Sequence, residues 1–108
     1  MNKQYRQGDV IIIAVESSNL DSYKEVPREE GRVVLAHGEV TGHSHSIHSK
    51  AASLWVKEGE LNRILRVKGL GVVNLLHEEH GPIELPPGDY IVRIQREYTP
   101  EVIRNIAD

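Results

Sequence analysis

Short runs of apolar residues alternate with polar breaks along the chain. The first run, "VIIIAV", is apolar at both alternating positions, which predicts a strand over Asp9–Val15 that is covered on both faces. The segments "RVVLAH", "HSHSIH", "LWV", "RILRV" and "VVNLLH" continue the strand pattern. A last strand follows "LPPG", because proline cannot donate to a ladder and glycine accepts positive φ. We therefore expect about eight short strands.

Two segments depart from this pattern. Residues 17–31 are polar and contain Pro27 and Gly31, which predicts a loop. Residues 99–107 predict a terminal helix, with Thr99 as N-cap, Pro100 in the first turn and an apolar stripe of Val102, Ile103 and Ile106. The predicted fold class is mainly β. It is a single domain over residues 1–108, a small barrel or sandwich-like roll with a short C-terminal helix.

The core is expected to be aliphatic, because the chain has no Phe and only one Trp. The apolar faces of the clearest strands predict that six side chains are largely buried: Ile11, Ile13, Val34, Leu54, Val92 and Ile94. Tyr90 shares the face of Val92 and Ile94 on the last strand.

Composition excludes several classes of protein. The net charge is -3 and basic residues form no long run, which argues against a nucleic-acid partner or an anionic membrane surface. Cysteine is absent, so a metal would need nitrogen and oxygen ligands. The N-terminal "MNKQYRQGDV" is polar and the longest apolar run is too short to span a bilayer, which predicts a cytoplasmic protein.

All six histidines lie in two places, "AHGEVTGHSHSIHS" and "HEEH". His43 and His45 are two positions apart, so in a strand they share one face at a spacing of about 7 Å and can converge on one cation. Completing the site requires further ligands from the remaining histidines: His37, His48, His77 and His80. We expect a divalent transition metal such as zinc, nickel or iron.

Other interpretations of these residues stay open. Serine and glycine surround the first cluster, which is also typical of a solvated surface loop, and "HEEH" lacks the His-Glu-x-x-His spacing of zinc proteases. If a metal keeps an open position, it activates water or polarises a carbonyl of an unknown small molecule. Glu39, Glu78 and Glu79 are then the candidate general bases, and the sequence does not decide whether the protein is an enzyme.

The stretch "GEVTGHSHSIHS", followed later by a Pro-x-Gly turn into a strand, resembles the cupin family. The resemblance implies a small β-barrel with a His-x-His pair, here His43 and His45, then a Glu and a later His as further metal ligands. Pro86 and Gly88 match the turn. The Glu is missing from "SIHSKAAS" and the later His from "GDYIVRIQ". The motifs "QGDV", "GHSH" and "LPPGDY" also resemble small bacterial or phage-associated proteins, a likeness that implies no activity.

A second function class is a non-catalytic assembly or interaction module of phage-like origin. Short β-domains with unpaired strand edges pair readily with further copies of themselves, which predicts a homo-oligomer. In that case the histidines form a surface loop, a contact surface or a structural metal staple.

Overall fold

The structure, a computed structural model, describes residues 3–38 and 42–95. These residues form ten strands and no helix: β1 Gln4–Gln7, β2 Val10–Val15, β3 Lys24–Glu25, β4 Val33–His37, β5 Ser44–Ile47, β6 Ala52–Val56, β7 Arg63–Val67, β8 Val73–Leu75, β9 Ile83–Leu85 and β10 Gly88–Ile94. The mainly β prediction is confirmed. The predicted helix at 99–107 lies outside the described residues.

Six strands form one antiparallel sheet in the order β1-β2-β10-β7-β6-β3, and two ribbons, β4-β5 and β8-β9, add their apolar side chains to the same core. Within the described residues β1 and β3 do not pair with each other, so the sheet has two edges and does not close into a barrel. The predicted barrel is wrong in this respect. A short barrel needs a continuous ladder, and here the ladder stops at these two short strands.

The core uses the opposite face of β2 from the one predicted. Val10 and Ile12 are fully buried, whereas Ile11 and Ile13 are only half-buried. Because all six positions of this strand are apolar, hydrophobicity alone does not decide which face meets the core. Among the other predicted core residues, Val34, Leu54 and Val92 are buried.

Ile94 is 38% exposed, which corrects the prediction that it is buried. It shares the face of the buried Tyr90 and Val92, but the pairing between β10 and β7 ends at Val92. Past that point β10 has no paired strand on the β7 side, and the side chain of Ile94 meets solvent.

Polar strands account for most of the missed elements. β1 is "QYRQ", and β3 lies inside the predicted loop 17–31, where it pairs with β6. The predicted strand Asp9–Val15 begins instead at Val10, because Gly8 and Asp9 form a two-residue turn with Gln7 paired to Val10. Gly8 has φ +59°, the conformation that the first central position of a type II′ hairpin turn requires.

One backbone contact joins the two ribbons and prepares the site. The N–H of Ser46 donates to the carbonyl of Leu76 at 3.0 Å, and the N–H of Leu76 donates back at 2.8 Å. The chain leaving β8 therefore runs antiparallel beside β5. No helix in the described part of the chain is long and apolar enough to cross a bilayer.

Candidate metal centre

Three turns meet around one cleft of about 230 Å³. They are the β1-β2 turn, the connection between β4 and β5, and the connection between β8 and β9. The lining consists of two glycines, four histidines and two acids: Gly8, Gly38, His43, His45, His77, His80, Asp9 and Glu79. Members of both histidine groups of the sequence, which are separated along the chain, therefore face the same space.

The antiparallel contact between the ribbons explains how the groups meet. Continuing the Ser46–Leu76 register by one residue places His45 opposite His77. Their rings are stacked with centroids 4.3 Å apart. His77 also lies edge-on to His43 at 5.6 Å and 4.7 Å from His80. His77 is thus the central ring of the cluster.

Two of these histidines and an acid next to the cleft have the spacing of a metal-binding set. His43, His77 and Glu78 each offer one ligand atom, and the three atoms lie within 4.8 Å of one another. We call these residues the trio. The Nδ1 atom of His43 is buried and makes no hydrogen bond within the described residues. A buried polar atom without a partner is costly, and a metal ligand bond would satisfy it.

The carboxylate of Glu78 is held in place by the backbone. The N–H of Ser44 donates to Glu78 Oε1 at 2.9 Å. This hydrogen bond lowers the pKa of Glu78, and the nearby His43 and His77 lower it further. Glu78 is therefore an anion at neutral pH and a better ligand than general base, because a carboxylate with a lowered pKa holds a proton weakly.

His45 is 3% exposed, and its tautomer is determined by Gln7. The side-chain nitrogen of Gln7 donates to the carbonyls of Leu75 and Gly81, both at 3.0 Å. Its oxygen therefore faces His45 Nδ1 at 2.8 Å and accepts a hydrogen bond from the N–H of that nitrogen. The lone pair of His45 is then on Nε2, which lies 3.7 Å from Asp9 Oδ1.

Burial is the main cause that lowers the pKa of His45, and the neighbouring His77 lowers it further, while Asp9 opposes the shift. The ring is accordingly neutral at pH 7. Neutral imidazole is the form that binds metal ions.

Two glycines leave room for the rings. A Cβ on Gly38 would lie 2.8 Å from the Cβ of His43 and 3.2 Å from Nε2 of His77. A Cβ on Gly8 would lie 2.9 Å from Nε2 of His80. A side chain at either position would push an imidazole out of its place.

The structure separates the predicted site residues into groups. His43, His45, His77, His80 and Glu79 line the cleft, and Glu78 belongs to the trio. Glu79 is 63% exposed, with Oε1 4.0 Å from His43 Nδ1.

The remaining predicted site residues do not line the cleft. His37 is 68% exposed and pairs with Glu29 at 3.2 Å, so the structure does not bring it to the other histidines of the cleft. His48 is exposed and faces a neighbouring groove beside Arg32 and Ser46, because its odd spacing from His45 turns it to the other side of the ribbon. Glu39 lies outside the described residues.

Sequence reasoning missed Gln7, Gly8, Asp9 and Gly38. The stretch "QGD" carries no local signal of a site, and nothing nearby in the sequence indicates that Gln7 reaches His45. The close approach of Gly38 to two histidines depends on tertiary structure, which the local sequence does not indicate.

Comparison with known proteins places the chain in a family. No curated protein and no solved structure matches it significantly. One family model, described as "Domain of unknown function (DUF8820)", matches residues 6–95. This match covers β2 to β10, the second half of β1 and all the cleft residues described above. The chain therefore belongs to the DUF8820 family.

Proposed function

We propose that this protein binds a divalent transition metal ion through His43, His77 and Glu78. The observation that carries the proposal is the spacing of the trio, whose ligand atoms lie within 4.8 Å of one another. Ligands of a tetrahedral zinc ion, each at about 2.1 Å from the metal, are about 3.4 Å apart. Side-chain rotations that move these ligand atoms by about an ångström would bring all three within bonding distance of one ion.

The donor set agrees with a transition metal. Two imidazole nitrogens and one carboxylate oxygen suit zinc or iron and leave coordination positions for water. His77 Nδ1 accepts a hydrogen bond from the N–H of Glu79 at 3.0 Å, so binding through Nδ1 replaces that bond. Glu79 is exposed, so a water molecule can accept the hydrogen bond from its backbone N–H instead.

The donor types of the trio can be compared with those of the cupin pattern. The Glu and the later His of that pattern are missing from their expected places after His43 and His45. In this site Glu78 and His77 would supply the same donor types from the β8-β9 connection. If the bound metal acts on a small molecule, Glu79 is an exposed carboxylate of the cleft lining that can serve as a base.

The test is isothermal titration of protein without a polyhistidine tag, using zinc, nickel and cobalt. Wild type should bind with micromolar or tighter affinity, and His43→Ala and His77→Ala should each weaken binding at least about tenfold, as loss of one ligand does. His37→Ala is the matched control and should bind zinc as wild type does, because the His37 side chain pairs with Glu29 and does not line the cleft. Equal affinity in wild type and both cleft variants would refute the site.

The affinity should also depend on pH. Imidazole binds a metal only when neutral, and its reference pKa is about 6.5. Titrations between about pH 5.5 and pH 8 should show affinity falling on the acid side of this range. Affinity that stays constant down to the lowest pH would mean that carboxylates, not histidines, hold the ion.

A second candidate function is assembly with further copies of the chain. The six-stranded sheet ends at β1 and β3, and Leu61 and Leu70 are 97% and 104% exposed. Open edges and exposed apolar residues favour association. Light scattering across a range of protein concentrations tests this: a constant monomer mass argues against it, and a defined oligomer supports it.

A further inference from the structure

The trio borders two spaces on the surface of the molecule. His43 and His77 line the cleft, whereas His77 and Glu78 line a separate groove of about 380 Å³. Arg32 lines this groove as well, and we call it the Arg32 groove. An ion held by the trio therefore lies where a molecule in the Arg32 groove can fill one of its open coordination positions.

Arg32 brings hydrogen-bond donors to the groove that the protein leaves unused. Its Nε donates to the carbonyl of Glu29 at 3.4 Å, and its Nη1 donates to Ser44 Oγ at 3.0 Å. A guanidinium has five N–H groups, so three remain without a protein acceptor within residues 3–38 and 42–95. None of the ion pairs in that part of the chain includes Arg32. A permanently charged guanidinium with free donors favours a carboxylate as its ligand, because the two planar groups match.

Ser44 determines how far this cation lies from the trio. Its Oγ accepts from Arg32 Nη1, and its backbone N–H donates to Glu78 Oε1 at 2.9 Å. The nitrogen and Oγ of one serine are about 3 Å apart, so the guanidinium and the Glu78 carboxylate are separated by at most about 9 Å. The two groups do not form an ion pair with each other. The gap between Arg32 and an ion on Glu78 therefore suits a small molecule with two acidic groups.

The other walls of the groove favour an organic acid over an inorganic anion. Leu76 lines the groove and is 38% exposed, so a short chain of methylene groups lying on it would shield apolar surface from water. Ser46 and His48 line the groove too. Their hydroxyl and ring nitrogen can donate further hydrogen bonds to carboxylate oxygens.

We propose that the Arg32 groove binds a small dicarboxylic acid, with one carboxylate on Arg32 and the other on the metal ion of the trio. The inference rests on the proposed function, because the ion supplies the second anchor. Without the ion, the Glu78 carboxylate lies at that end of the groove and repels an anion. With a divalent ion in place the charge there becomes positive, so the metal and the acid bind cooperatively.

Cobalt-loaded protein without a polyhistidine tag tests both anchors, because the visible spectrum of cobalt changes when a ligand replaces its water. Malonate, succinate and glutarate cover the span, and acetate, with one carboxylate, is the comparison. At least one of the three diacids should change the spectrum and bind at least about tenfold more tightly than acetate. Calorimetry with metal-free protein should show that diacid bound at least about tenfold more weakly.

Arg32→Gln distinguishes the acid site from the metal site. It should bind cobalt as wild type does, because Arg32 is not a member of the trio. It should bind the diacid at least about tenfold more weakly, because it loses the charge-assisted hydrogen bonds. Arg93→Gln is the matched control, since Arg93 is exposed and lies outside the groove, and it should bind both as wild type does.

The outcomes separate this inference from the binding of metal by the trio. Normal cobalt binding with no diacid bound more tightly than acetate overturns the acid site and leaves the trio intact. Equal diacid affinities in wild type and Arg32→Gln, or in metal-free and cobalt-loaded protein, also overturn it. Wild type that binds no cobalt refutes the proposed function, and the acid site with it. The comparison with acetate needs wild type alone, so it decides the matter even where Arg32→Gln proves unstable.

Discussion

Gln7 has the sequence context of an ordinary polar residue on an edge strand, yet its side chain contacts three separate segments of the chain. Its partners lie 38, 68 and 74 positions away, at His45, Leu75 and Gly81. No local pattern predicts contacts over such separations. The histidines themselves were predictable as a group, because imidazole density is visible in the sequence. The groups that orient them were not.

Gly38 gives a prediction at the same scale. Gly38→Ala places a methyl group 2.8 Å from His43 Cβ and 3.2 Å from His77 Nε2, so both rings must shift. We expect zinc affinity to fall at least about tenfold while the melting temperature changes little, because the clash is confined to the cleft. Gly81→Ala is the control, since a Cβ there meets nothing within 4 Å. Similar zinc affinities in the two variants would show that ring packing at Gly38 does not matter for binding.

At the scale of elements, the alternation of apolar and polar residues predicted most strands but not their partners. β5 and β8 were expected from their sequences, whereas the hydrogen bonds between Ser46 and Leu76 were not. That contact is what places His77 opposite His45, so the composition of the site depends on strand order, which residue patterns do not specify. β1 and β3 were missed because their residues are mainly polar, and edge strands need no apolar face.

The corrected face of β2 leads to a stability prediction. Ile12→Ala should reduce the free energy of unfolding by about 3 kcal/mol, because Ile12 is fully buried. Ile11→Ala, on the half-buried face of the same strand, should lose about 1 kcal/mol. Urea denaturation of both variants measures the difference. If Ile11→Ala loses as much as Ile12→Ala or more, the assigned face of the strand is wrong.

At the scale of the whole molecule, a partly buried ion pair on the large sheet, Arg66 with Asp89, holds the backbone of Ser18 in the long 17–31 segment. Asp89 is 6% exposed and accepts from Arg66 Nε at 2.9 Å, and the N–H of Ser18 donates to its other oxygen at 2.7 Å. Burial tends to raise the pKa of Asp89, but the hydrogen bonds from Arg66 and Ser18 outweigh it, and the net shift is downward. No local pattern predicts this pairing, because Arg66 and Asp89 lie on different strands.

This pair makes the stability of the fold depend on pH. Since the pKa of Asp89 is lower in the folded than in the unfolded chain, its carboxylate stabilises the fold above its ordinary pKa of 3.8, and this contribution is lost as pH falls through the folded value. Asp89→Asn should therefore cost about 2 kcal/mol at neutral pH and progressively less below about pH 4. Glu84→Gln, at an exposed position on β9, is the control. A cost for Asp89→Asn that is constant from pH 7 down to about pH 2.5 would contradict the assignment.

The three turns around the cleft come from both ribbons and from the edge of the large sheet, so the site depends on the assembled molecule. The most direct test of its central claim is a crystal structure of the zinc-treated, tag-free protein with anomalous diffraction at the zinc edge. We predict an anomalous peak within about 2.0–2.2 Å of a nitrogen of His43, a nitrogen of His77 and an oxygen of Glu78. A well-ordered cleft with no peak, or zinc found only on the exposed His37 and His48, would contradict the account.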